Sequence, residues 1–192
     1  WIIGRRFRLA HVKFGQKTIE VATFRKQVPM AAAPPTNDRE TPEPASTATD
    51  DSALPRREIR RDNTFGTPEE DAFRRDFTIN ALFYDISTFA IIDYVGGMDD
   101  LQNRLIRCIG NPDERFIEDP VRMLRAVAFA ARLDFRIDAP VRDAISRNHT
   151  EIKHASPARL IEELYKLLRS GVSTKTFKEL SKSGLLQHIA PE

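Results

Sequence analysis

The chain opens on an alternating pattern. Phe7, Leu9 and His11 alternate with Arg6, Arg8 and Ala10, Phe14-Gly15-Gln16-Lys17 interrupts, and Thr18 to Phe24 resumes. Alternation on both sides of a Gly-containing break predicts a β-hairpin. In its second strand Ile19, Val21 and Thr23 share one face, and Glu20, Ala22 and Phe24 the other. Over residues 26–60 the periodicity disappears. Pro29, Pro34, Pro35, Pro42, Pro44 and Pro55 sit there among Ala, Ser, Thr and Asp, the composition of a flexible loop or an insertion. Thr67-Pro68-Glu69-Glu70 then starts a helix, with Thr67 as N-cap, Pro68 in the first turn and Glu70 closing a capping box. Two apolar stripes, Phe73-Phe77-Tyr84 and Ile79-Leu82-Phe83-Ile86, carry that predicted helix through Arg74-Arg75-Asp76 to about Tyr84. Phe89 to Val95 reads as a strand ended by Gly96-Gly97, and Arg104 to Ile109 as a second short one. From Asn111 onward Pro recurs beside helix-start residues, and helices are predicted at about 112–118, 120–133, 139–148, 157–169 and 174–182. The fold class is α+β, mixed over residues 1–110 and all-α over 111–192.

Composition changes this picture little. Of 192 residues 41% are hydrophobic, enough for a packed core. Charged residues make up 30% but the net charge is only +2, so any argument about partners rests on where the charges lie. Arg5, Arg6, Arg8, Lys13 and Lys17 all precede the first acid, Glu20; this basic patch is either a solvated strand face or a phosphate contact. Cys108 is the single cysteine, which excludes a disulfide framework or a cysteine zinc site within one chain and fits a reducing cytoplasm. Ile106 and Ile109 around it predict a buried thiol. No apolar run reaches the length of a membrane span. The start, Trp1-Ile2-Ile3-Gly4, has neither an initiator Met nor a signal-peptide pattern, so the chain is expected to be a piece of a longer one.

Two segments can carry chemistry. On the predicted helix Asp76 and Asn80 are four residues apart and share a face, where an acid and an amide can hydrogen-bond a ribose diol. Arg74 and Arg75 just before them can meet phosphate oxygens in bidentate fashion. A charged turn with local ion pairs would show the same spacing. In the second segment, Glu118 to Arg125, Asp119 suits an N-cap and Pro120 the first helical position. Arg122, Arg125, Phe129 and Arg132 then form one continuous helical face, while Val121, Leu124, Ala128 and Ala131 form an apolar one. Asp119 and Arg122 together could read a base edge. A packed helix with snorkelling arginines is the alternative. No Walker-type glycine loop is present, because neither Gly96-Gly97 nor Gly110 is followed by Lys-Ser/Thr.

Taken in order, these segments resemble the class II nucleotidyltransferase superfamily, which holds bacterial poly(A) polymerases and CCA-adding tRNA nucleotidyltransferases. The matching runs are Ile19 to Arg25, Arg74 to Leu82, Asp93 to Leu101, Ile109 to Pro112, Glu118 to Ala131 and, more faintly, Ser156 to Leu164. Gly4 to Val12 and Asp62 to Asp71 look like the poly(A) polymerase branch. The resemblance implies a polymerase-β-like head domain within residues 1–110, followed by a helical neck and body that binds nucleotide and RNA. It implies addition of AMP from ATP to RNA 3′ ends, assisted by two Mg2+ or Mn2+ ions. Glu20 would be a metal-site carboxylate, Arg74 and Arg75 would hold phosphates, and Asp76 and Asn80 the ribose. Asp119 and Arg122 would face the base, supported by Glu118 and Arg125, with Arg159 bracing the pocket. Arg5, Arg6 and Arg8 are expected to touch RNA phosphates on their charge pattern. The partners so implied are ATP and RNA 3′ ends, with no membrane, for a monomeric chain. Two departures stand out. The superfamily's Gly-Gly-Ser/Gly and Asp-x-Asp motifs would fall before Trp1, so the chain alone is expected to be inactive. Ala128 stands where the superfamily often has Arg. A CCA-adding enzyme and a non-catalytic RNA-binding module remain the alternatives.

Overall fold

The first hairpin forms where alternation predicts it. The computed structural model describes residues 2–3, 9–26 and 64–190, so Arg5, Arg6, Arg8 and nearly all of the predicted 26–60 loop lie outside the described residues. The chain divides into two compact units, residues 1–70 and 71–192. In the first unit, β1 (Ile2–Ile3), β2 (Leu9–Phe14) and β3 (Lys17–Val21) make an antiparallel sheet in that order. Gly15 turns β2 into β3 with φ +58°, a conformation glycine adopts without a steric penalty. A second antiparallel pair joins β4 (Arg25–Lys26) to β5 (Thr64–Phe65). Helix α1 (Pro68–Arg74) then begins with the predicted capping box: Glu70 N donates to Thr67 Oγ1 at 3.2 Å and Thr67 N donates to Glu70 Oε2 at 2.8 Å.

The second unit corrects the helix predicted to run to Tyr84. It stops at Arg74, and the reason is tertiary. Phe77 pairs as an isolated bridge with Cys108, Thr78 N donates to the Arg107 carbonyl at 3.0 Å, and Ile109 N donates to that of Asp76 at 3.1 Å. The Thr78 hydroxyl donates to buried Asp100 at 2.5 Å, and Asp100 also receives Arg107 Nε at 2.8 Å. These bonds pull Asp76–Thr78 into an extended path that helix propensity alone cannot signal. A single 3-10 turn (Thr78–Asn80) follows, then the antiparallel pair β6 (Leu82–Asp85) and β7 (Ala90–Asp93).

Strand β7 ends at Asp93, short of the predicted Val95, and Gly96-Gly97 instead opens α2 (Gly97–Gln102), which was not anticipated. Asp93 builds that start by accepting from Val95 N and Gly97 N at 3.0 Å and Met98 N at 2.9 Å. Burial works against the charged Asp93 carboxylate, but these backbone donors outweigh it and hold its pKa below the usual range. A Cβ at Gly97 would collide with the Thr78 carbonyl, so helix α2 approaches the 3-10 turn as closely as only glycine allows.

The remaining helices follow the predicted series: α3 (Pro112–Glu118), α4 (Val121–Leu133), α5 (Ala139–Asn148), α6 (Pro157–Leu168) and α7 (Ser173–Lys182). A 3-10 segment (His149–His154) and short α8 (Leu186–Ile189) add to them. Strand β8 (Leu105–Ile106) pairs in parallel with β9 (Arg136–Ile137) across the α3–α4 stretch. The core collects around α4, with Phe77, Ile106, Phe116, Met123, Leu124 and Val127 fully buried. Cys108 is buried as expected, and burial pushes its thiol up to about 11. Ala128, predicted for the apolar face, is only half-buried. No helix among the described residues is long and apolar enough to cross a membrane.

Candidate nucleotide-binding site

The bend after Arg74 determines what the first segment can present. Asp76 and Asn80 do not share a helix, yet Asn80 Nδ2 donates to Asp76 Oδ1 at 3.1 Å across the turn. That carboxylate oxygen also receives Phe77 N at 2.9 Å, while Oδ2 receives Arg125 Nε at 2.7 Å. The Asn80 amide oxygen and a lone pair on Asp76 Oδ2 are then the acceptors left for a hydroxyl.

Asp71, absent from the sequence prediction, organises both arginines. Its carboxylate, 3% exposed, takes Arg74 Nε at 2.8 Å on Oδ1 and Arg75 Nε and Nη2 at 3.1 and 2.9 Å on Oδ2. Arg75 further donates to the Asn80 carbonyl at 2.8 Å and lies over the Phe83 ring at 5.1 Å. One carboxylate shared by two guanidinium groups leaves a net positive charge, held in place before any ligand arrives. The spacing of Asp71 three and four residues before the arginines was the signal that could have found it.

The second segment reaches the same place from α3 and α4. Asp119 does not cap α4 with its side chain, as predicted; it is the last residue beyond α3, and α4 starts without a side-chain cap. Its carboxylate instead accepts Arg159 Nη2 at 2.7 Å and lies 3.9 Å from Arg122 Nε. Glu118 receives both Arg115 at 3.0 Å and Arg122 at 3.1 Å. Arg115, also missed, links the segments by donating to the carbonyls of Arg74 and Arg75 at 2.7 and 2.5 Å. Burial lowers its guanidinium pKa, and neighbouring Arg122 lowers it further. Arg125 is held by Asp76 and, at 3.2 Å, by Glu163 of α6. Burial pushes Arg125 down, but these two carboxylates outweigh it and leave its pKa raised. Arg115 and Glu163 have local partners in Glu118 and Lys166, but the bonds that tie them to the site reach 38 to 41 residues along the chain, beyond any local sequence signal.

Together these side chains line one cavity of about 550 Å3 within the second unit. Its walls are Arg74, Arg75, Asp76, Asn80, Asp119, Arg122, Arg125, Phe129 and Arg159, so five arginines face two aspartates. Of the nine residues expected to bind nucleotide, only Glu118 is not in the lining, and it holds Arg122 from behind. The size falls within the ~300–1,000 Å3 of small-ligand sites. Glu20 belongs to the first unit, on β3 opposite His11, whose Nε2 lies 3.2 Å from its carboxylate.

Residues 1–107 match the family described as Poly A polymerase head domain. The chain belongs to the poly A polymerase head-domain family. Residues 134–192 match a second family, "Probable RNA and SrmB- binding site of polymerase A". The chain is 47% identical to the poly(A) polymerase I of Salmonella typhi over 190 residues, 99% of this chain and 38% of that protein. It is 38% identical to the CCA-adding enzyme of Bacillus velezensis over 120 residues, 62% of this chain and 30% of that protein. The crystal structure of the Bacillus stearothermophilus CCA-adding enzyme in complex with CTP is similar with TM-score 0.73 at 28% identity, over 97% of this chain and 39% of that one. The α+β class read from periodicity is thus that of a nucleotidyltransferase head domain joined to helices. The chain spans well under half the length of the curated poly(A) polymerases it matches.

Proposed function

We propose that the intact protein adds AMP from ATP to RNA 3′ ends, and that the cavity between Arg74 and Arg159 holds the ATP. The single observation behind this reading is the convergence of eight expected nucleotide-binding residues on one arginine-rich cavity. In it Arg74 and Arg75, fixed by Asp71, grip the phosphates. Asp76 and Asn80 accept from the ribose hydroxyls. Asp119 and Arg122 meet the base edge, one as acceptor and one as donor. Glu118 and Arg125 are positioning residues, and Arg159 orients Asp119 from α6. The 47% identity to a poly(A) polymerase over nearly the whole chain, against 28% to a CCA-adding enzyme over a similar span, supports ATP over CTP as the nucleotide.

Glu20 can give one hard oxygen ligand to Mg2+ or Mn2+, ions that prefer carboxylate oxygen. The described residues contain no group of three or more His, Cys, Asp or Glu able to hold a metal, so the contribution derived for this chain is binding and orientation. We assign residues 1–110 to the head and 111–192 to the helical, nucleotide- and RNA-binding part, because every element from α3 onward is helical except β9. Arg5, Arg6 and Arg8 are assigned to RNA phosphates on charge alone.

The test supplies the full-length protein with an RNA primer and one nucleotide at a time. Repeated AMP incorporation is expected from ATP alone. Efficient CMP incorporation from CTP would contradict the assignment and favour a CCA-adding activity.

A further inference from the structure

A second cavity of about 270 Å3 lies where α4, α6 and α7 meet, and Arg125 and Phe129 border both cavities. Its size is below the ~300–1,000 Å3 of sites that enclose a whole small ligand, and suits a single base better than a second triphosphate. Ala128 and Leu167 give it an apolar floor beside Phe129. A longer side chain at position 128 would project into this space.

Arg132 sets the chemistry of the rim. Its guanidinium lies 5.2 Å from the centroid of the Phe129 ring, and it makes no hydrogen bond or ion pair among the described residues. The other two cations of the lining are committed, Arg125 to Asp76 and Glu163 and Lys166 to Glu162 and Glu163. A cation–π contact steadies Arg132 without using its N–H donors, which leaves them for a phosphate. The Thr176 hydroxyl donates to the Val172 carbonyl at 3.1 Å, so its oxygen can still accept from an exocyclic amino group.

We propose that this pocket holds one nucleotide of the RNA strand being extended, its base against the apolar floor of Ala128 and Leu167 and the guanidinium groups of Arg125 and Arg132, which lie over the Phe129 ring at 5.1 and 5.2 Å, and its phosphate on Arg132. Aromatic rings and guanidinium planes are what unpaired RNA bases stack on. An RNA residue is favoured over a free nucleotide because the pocket adjoins the ATP cavity. All of its α6 and α7 lining falls within residues 134–192, matched to the RNA-binding family. The proposal rests on the RNA-extending reading above.

The experiment compares full-length wild type with Arg132→Ala and Ala128→Leu. Fluorescence anisotropy of a labelled oligo(A) RNA is followed over a range of salt, and ATP binding is measured separately by calorimetry without RNA. Ala128→Leu should weaken RNA binding by about tenfold, within what loss of one stacked base costs, and leave ATP affinity unchanged. Arg132→Ala should weaken RNA binding and make the slope of log K against log [salt] shallower by about 0.7, the share of one single-strand phosphate. Arg132 is exposed, so its variant keeps the test valid if Ala128→Leu does not fold. Wild-type RNA affinity and salt slope in Arg132→Ala would overturn the proposal while leaving the ATP cavity intact. Loss of a second ATP equivalent in Ala128→Leu with RNA binding unchanged would give the pocket to a free nucleotide and overturn it too. A wild-type protein that binds neither ATP nor RNA would remove the underlying reading as well.

Discussion

Asp71 shows how one buried carboxylate can govern two cations that line a cavity. It is 3% exposed and bonds both Arg74 and Arg75, so removing its charge frees two guanidinium groups and leaves a polar group with fewer partners. Asp71→Asn in the full-length protein should therefore raise the KM for ATP by about tenfold, the scale of one charge-assisted hydrogen bond of ~1.5 kcal/mol, with a smaller change in kcat. Steady-state kinetics with varied ATP checks this; an unchanged KM would mean that the arginines keep their positions without it. At this scale the sequence was legible in residue identity. Arg74, Arg75, Asp119 and Arg122 were singled out by residue type and spacing, and all four line one cavity. What holds them was only partly visible: Asp71 had helical spacing to betray it, whereas Arg115 acts through carbonyls some 40 residues upstream.

Helices α3 to α6 were legible because Pro112, Pro120, Pro140 and Pro157 mark their starts, and α7 because its apolar face repeats at helical spacing. The end of α1 was not. Its apolar stripe continues past Arg74, but the strand-like bond to Cys108 and the Thr78–Asp100–Arg107 network win over local propensity. That same break is what turns Asp76 and Asn80 toward α4. Strand β8 falls inside the strand predicted at Arg104–Ile109, whereas its parallel partner β9, across an intervening helix pair, is two residues long and too short to carry a period. The close approach of α2 to the 3-10 turn gives an element-scale prediction. Gly97→Ala places a Cβ against the Thr78 backbone, which lies 2.9 Å away at its carbonyl carbon, so one of the two elements must shift. Overpacking of this kind costs about 1–3 kcal/mol. Thermal unfolding of the variant should show a Tm lower by several degrees, and ATP binding should weaken with it because Asn80 belongs to that turn. An unchanged Tm would show that the backbone there yields freely.

At the scale of the molecule, neither segment of the cavity is complete alone. The first brings Arg74, Arg75, Asp76 and Asn80 and the second Asp119, Arg122 and Arg125; Arg115 and Arg125 tie them together through Arg74, Arg75 and Asp76. Spacing along the chain could not join them, since 49 residues separate Asp76 from Arg125. The ordered resemblance to a family predicted the grouping, and the single cavity supplies its geometry. It also adds what the resemblance did not, a neighbouring pocket floored by Ala128 and edged by Arg132. The most direct test of the account is calorimetric titration of ATP into the full-length protein and into its Arg75→Ala and Asp119→Asn variants. If both segments line one nucleotide site, each variant should lose about tenfold or more in affinity while keeping its fold. Wild-type affinity in either folded variant would contradict it.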